Sequence, residues 1–219
     1  MNSRLRTVLS IAAAFFAAVT TALPQTCKTT GDAAGHFDYY LLSLSWKPEF
    51  CAQHARANPD ECKNRPDLGF VVHGLWPQNN TGASPELCGV PAPLSPQDSA
   101  AVKGLMFGAS LVQHEWTCHG SCSNLSPSDY FSLIAKDRNA IQIPAQFTQV
   151  PKPITIATKL IESAFESANN APAGAFRVDC QAGALVEVRA CFSKTLGLIQ
   201  CANALPDCTQ KSISVRPTQ

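Results

Sequence analysis

A chain of 219 residues, 45% hydrophobic and 15% charged, carries enough apolar material for one sizeable core and no low-complexity bias. Lys and Arg number 17 against 16 Asp and Glu, which argues against a broad cationic footprint for duplex DNA but leaves local capture of a nucleic acid open. Beyond the N-terminus nothing approaches the roughly 20 apolar residues that cross a bilayer.

The chain opens as a secretory signal. Arg4 and Arg6 form a positive start, residues 8–19 an apolar run too short for an anchor, and Thr20, Thr21 and Ala22 a small-residue cleavage region. The expected organisation is a signal at 1–22 and one domain at 23–219, soluble, exported and free of the membrane once the signal is removed. Removal takes two Arg and no acid, leaving 15 basic against 16 acidic side chains. A lipid-modified Cys27 is disfavoured by the Pro24-Gln25-Thr26 that precedes it. All ten Cys follow the signal, which suits an oxidising compartment.

Residues 37–46 (FDYYLLSLSW) read as a buried strand closed by Pro48. Residues 51–67, polar with two Cys and two Pro, read as a stapled loop. Residues 68–72 form a second strand with His73 at its end. Residues 77–97, rich in Pro, Gly, Asn and Ser, form a long excursion. Residues 97–118 look helical, with Gly104 and Gly108 as breaks. A further helix starts at Ser126-Pro127-Ser128-Asp129, and residues 154–168 form another. Strands return at 176–178, 184–192 and 196–200, where Leu185 to Ala190 alternates well. The expectation is an α+β fold: one disulfide-rich domain, an antiparallel sheet packed with helices.

The chemistry concentrates in two short segments. Of five His, three lie in His73-Gly74-Leu75-Trp76-Pro77 and in His114-Glu115-Trp116-Thr117-Cys118-His119-Gly120-Ser121-Cys122. In a helix Glu115 and His119 share one face and His114 and Cys118 an adjacent one; Trp116 then points to the core. Two imidazoles on opposite sides of a phosphodiester make an acid/base pair near neutral pH. Next to a ribose 2′-hydroxyl such a pair yields a 2′,3′-cyclic phosphate with no metal. Trp76 offers a flat surface for an unpaired base.

These two segments, with residues 37–51 and the stretch from Glu187-Val188-Arg189 to Cys191, resemble the T2 ribonuclease family across nearly the whole mature chain. The resemblance implies a secreted monomer that acts on single-stranded RNA, and it implies no cofactor. It implies His119 as general base, His73 as general acid, His114 on the phosphate, Glu115 as a stabiliser of the transition state, and Trp76 and Gln78 at the base. It also implies the bridges Cys51–Cys62, Cys88–Cys122, Cys180–Cys208 and Cys191–Cys201. Cys27 and Cys118 remain, either paired or with Cys118 a free thiol in the site. The family often has Lys where this chain has Cys118, so weaker catalysis is expected, by on the order of 2–4 kcal/mol in barrier if a transition-state cation is lost.

Two rival readings have their own residues. His114, Cys118, His119 and Cys122 are all zinc-ligand types, but the His residues stand five apart, wrong for one helical face. A non-catalytic secreted binding or toxin-like protein would need intact histidines to fail. Asn79-Asn80-Thr81 and Asn124-Leu125-Ser126 fit glycosylation acceptors.

Overall fold

A computed structural model describes residues 26–63 and 68–218; the expected signal lies outside the described residues. Six strands are described: β1 (Tyr39–Trp46), β2 (Phe70–Gln78), β3 (Ile154–Ala157), β4 (Phe176–Gln181), β5 (Ala184–Ser193) and β6 (Ser212–Val215). The helices are α1 (Lys47–His54), α2 (Pro59–Cys62), α3 (Ala109–Cys118), α4 (Pro127–Ala140) and α5 (Thr158–Ala168). They form one α+β domain.

The strands lie in the order β2-β1-β5-β6-β3, with β4 also paired to β5. All pairings are antiparallel except β5 with β6, which meet in parallel at Ala184 and Ser214. The sheet is therefore mixed, not purely antiparallel as expected. The cause is β6, a four-residue strand too short to be seen in the sequence, which enters beside β5 and carries β3 on its other edge.

Alternation along β1 sorts the two faces of the sheet. Tyr40, Leu42, Leu44 and Trp46 enter the main core with Phe165, Phe176 and Val188, whereas Tyr39 and Leu41 join a smaller cluster around Cys191 and Cys201. Helix α4 starts where expected: the Ser126 hydroxyl accepts from the Asp129 amide, and Pro127 occupies the first turn. It buries Tyr130, Phe131 and Ile134 completely, each contributing roughly 1.5–3 kcal/mol relative to exposure.

Other elements depart from the sequence reading. Pro48 does end β1, but it does so by opening α1, where its fixed φ suits a first helical turn. The stapled loop thus holds α1 and α2, tied by Cys51–Cys62. Only residues from Ala109 onward form a true helix in the 97–118 region. Gly104 and Gly108 have φ of 85° and 103°, leaving a 3-10 turn at Ala100–Val102 upstream. The 154–168 region splits, because β-branched Ile154, Thr155 and Ile156 pair with β6 before α5 begins. Residues 196–200 make only a bridge from Leu198 to Phe192. Among the described residues no helix is long and apolar enough to cross a membrane.

All ten Cys are paired: Cys27–Cys118, Cys51–Cys62, Cys88–Cys122, Cys180–Cys208 and Cys191–Cys201. Cys118 is therefore not a free thiol.

Candidate active site

Strand β2 does not stop at His73. Its pairing with β1 runs Ser43 to Gly74 and then Leu44 to Val72, so His73 is the extra residue of a β-bulge. A bulge resets the alternation of side chains and often re-aims one at a functional site. Here it puts His73 and Trp76, three residues apart, on one face, while Val72 and Leu75 fill the core on the other. The Tyr130 hydroxyl donates to the Leu75 carbonyl at 2.8 Å and braces this strand against α4.

The second segment lies at the end of α3. Glu115 and Trp116 are buried, and the Trp116 indole donates to the Ala92 carbonyl, so Trp116 is a core residue as its helical phase predicted. His119 caps the helix, its amide donating to the Glu115 carbonyl at 3.1 Å. His73 and His119 are each followed by a glycine for a steric reason. A Cβ on Gly74 would lie 1.8 Å from Glu115 Oε2, and one on Gly120 would lie 2.3 Å from Trp116 Cε3.

His73, Trp76, His114, Glu115 and His119 line one cavity of about 360 Å³, together with Thr26 and Glu86. The Trp76 ring packs against both His73 and His119, with centroids 5.2 Å and 5.4 Å away. His114 packs edge-on to His119 at 5.9 Å. Its Nδ1 is 3.3 Å from Cys118 Sγ; a bonded sulfur carries no proton, so the ring nitrogen is the donor. Beneath the rings, Glu115 Oε2 accepts from the Trp76 indole at 2.8 Å, and Oε1 faces His73 Nε2 at 3.6 Å with no hydrogen-bond partner.

The two imidazoles are biased in opposite directions. Burial alone would lower the pKa of His73, but the hydrogen bond and charge of Glu187, with Glu115 and Glu61, raise it to about 9. His119 is pushed down to about 3 by burial and by the neighbouring His114 and His73. Burial raises the Glu115 carboxyl to about 7, against the opposing charge of His73 and the Trp76 hydrogen bond. Near neutral pH His73 thus favours the charged form and His119 the neutral form, within one cavity.

Gln78 is not part of the cavity wall; its amide donates to the Pro77 carbonyl and its oxygen accepts from Ser84. Cys118 is fully buried at the end of α3 and tethers the segment around Thr26 to the cavity. The sulfurs of Cys118 and Cys122 are both in disulfides, so neither is a thiolate available to zinc. Donor atoms of His114, Glu115 and His119 do lie within 4.8 Å of one another.

Sequence reasoning missed Glu187. Its Oε1 is 2.6 Å from His73 Nδ1, and its Oε2 accepts from Arg189 Nε and Nη2 at 3.0 and 2.9 Å. The signal was present: two opposite charges at alternate positions of a strand that otherwise alternates into the core.

The α+β fold thus brings two oppositely biased imidazoles and a buried carboxylate to one concave site. The chain belongs to the Ribonuclease T2 family, whose model matches residues 37–201. It is 41% identical to a ribonuclease of Aeromonas hydrophila over 115 residues, covering 52% of this chain and 51% of that protein. It is 27% identical to ribonuclease S-2 of Pyrus pyrifolia over 193 residues, covering 80% and 86%. A solved structure of an RNase MC1 mutant in complex with 5′-UMP superposes with a TM-score of 0.60 at 24% identity, covering 81% and 97%. The chain spans about half the length of the bacterial relatives it matches, 51% and 47%.

Proposed function

We propose that this chain is an exported, monomeric endoribonuclease that cuts single-stranded RNA without a metal and with little base preference. The observation that carries the reading is the pair of imidazoles, one biased toward the charged form and one toward the neutral form, on the walls of one cavity. Neutral His119 takes the proton of a ribose 2′-hydroxyl. The 2′-oxygen attacks phosphorus, and charged His73 gives its proton to the departing 5′-oxygen. The product is a 2′,3′-cyclic phosphate. Water then adds with the roles reversed: His73 takes a proton from water, His119 returns one to the 2′-oxygen, and a 3′-phosphate remains.

His114 contacts the phosphate from the cavity wall, Glu115 steadies positive charge on His73, and Trp76 stacks on a base. Gln78 keeps a place at the base only if its amide leaves Ser84. Nucleotide binding by the RNase MC1 relative supports an RNA substrate. Five disulfides suit an oxidising, extracytoplasmic compartment. A second reading, a weak or inactive RNA-binding member of the same fold, is favoured by one observation: position 118 holds a bridged Cys and supplies no cation.

Digestion of a short RNA and its all-deoxy counterpart, with and without EDTA, decides among these. Cyclic and then 3′-phosphate ends from RNA alone, undiminished by EDTA, are expected. Cleavage of DNA would refute a 2′-hydroxyl nucleophile. Loss with EDTA would point to a metal on His114, Glu115 and His119. No cleavage would favour the binding protein. Substituting either His73 or His119 by Ala should lower the rate by on the order of 10²–10⁴-fold.

A further inference from the structure

His73 sits on β2 and Glu187 on β5, with β1 between them. Two strand spacings amount to roughly 9–10 Å, a long reach for a carboxylate across the face of a sheet. Register explains how it is bridged. Ser43 lies opposite Arg189 and Gly74, and Ser45 opposite Glu187 and Val71, so β1 presents two small side chains under the path. The Ser45 hydroxyl also donates to Glu187 Oε1 at 3.2 Å. On the far side Arg189 holds Glu187 and is itself held by Asp179 of β4 at 2.8 Å. The Arg189 guanidinium then lies 5.7 Å from the Trp76 ring centre. A closed circuit results: Arg189, Glu187, His73, Glu115, Trp76 and back to Arg189.

We propose that Glu187, clamped by Arg189, is the positioning residue for His73: it fixes the ring with Nδ1 turned into the sheet and Nε2 turned to the substrate, and holds it in the charged form needed to protonate the leaving oxygen. This deepens the acid/base reading above and rests on it. A carboxylate behind an imidazole sets which nitrogen faces the reaction and stabilises the cation. The carboxylate is itself kept ionised: burial would raise its pKa, but His73 and Arg189 bring it down to about 2. The charged and titratable groups around His73 are Glu187 and Arg189 from β5, Glu115 and His119 from the α3 end, and Glu61 of α2, which lies 4.0 Å from Lys47. Of the acids, Glu187 alone is within hydrogen-bonding distance of the ring.

The test is Glu187→Gln, which keeps the shape and an acceptor but removes the charge. Ring titration of His73 by NMR and the pH dependence of kcat/KM on a dinucleotide are both recorded. The expected result is a fall of about 1–3 pH units in the His73 pKa and a matching fall of the alkaline limb, with KM little changed. Glu187→Asp, retaining charge on a shorter stem, should keep the limb near the wild-type position while lowering kcat, and it serves if the Gln variant does not fold. An unmoved His73 titration in Glu187→Gln overturns the proposal, as does a limb in Glu187→Asp that falls as far as in a charge-free variant. His73→Ala separates the two readings: undiminished cleavage breaks the acid/base mechanism and with it any catalytic part for Glu187, whereas lost cleavage beside an unmoved titration in Glu187→Gln breaks only the positioning role.

Discussion

At the scale of single residues, the site is organised around close approach. Gly74 is glycine because Glu115 Oε2 occupies the place of a side chain. Gly74→Ala should force Glu115 away from the Trp76 indole and disturb His73 beside it. Small displacements of this kind cost on the order of 10²-fold, so kcat should fall by about that much while circular dichroism stays native. A second residue outside the site makes a stability prediction. Asp137 is buried with Oδ2 unpartnered, and burial raises its pKa to about 7 against 3.8 in the free side chain. Between those values the native state holds a proton that the unfolded chain has released. Stability from this group is therefore complete below about 4 and lost as pH rises through about 7. Asp137→Asn should shrink the difference in Tm between mildly acidic and mildly alkaline buffer; an unchanged difference would show that Asp137 does not carry it.

At the scale of elements, the His-containing segments were legible because they are local: two imidazoles, a carboxylate and an indole fall within two short stretches. Their elements were less so. A helix needs its phase and its breakers, and Gly104, Gly108 and Ser126 gave both. The bulge at His73 is a matter of pairing with β1, and β6 alternates over only four residues, Ser212–Val215, too few to stand out, so neither is legible in its own segment. Glu187 was missed for the same reason: its meaning lies in a side chain two strands away. Position 118 reads in the sequence as a missing cation whose Cys is either free or bridged to Cys27, and the bridge is what forms, tethering Thr26 to the cavity wall. Cys118→Lys would therefore break a cross-link as well as add a charge and is not a clean test of rate. Removing the bridge with the Cys27→Ala, Cys118→Ala pair should lower unfolding free energy by about 2–4 kcal/mol, read from denaturant midpoints. A shift near zero would show that the tether is not structural.

At the scale of the whole molecule, the oppositely biased groups shape the pH dependence of folding. Glu187 has a lowered pKa, so its contribution is present above 4.5 and lost as pH falls through about 2. His73 has a raised pKa, so its contribution is present below 6.5 and lost as pH rises through about 9. Glu115 and Asp137, both raised to about 7, lose theirs as pH rises through that value. Together these place maximal stability in the mildly acidic range and predict a Tm that declines from there toward about pH 9. A Tm that rises over that interval would mean that other groups dominate.

The proposed function rests on one charged and one neutral imidazole lining the same cavity, and nitrogen-15 NMR titration of the histidine rings reads this directly. His73 should stay protonated through neutrality and release its proton near 9, while His119 stays neutral down to about 3. Titration of both rings together near the ordinary value of 6.5 would contradict it.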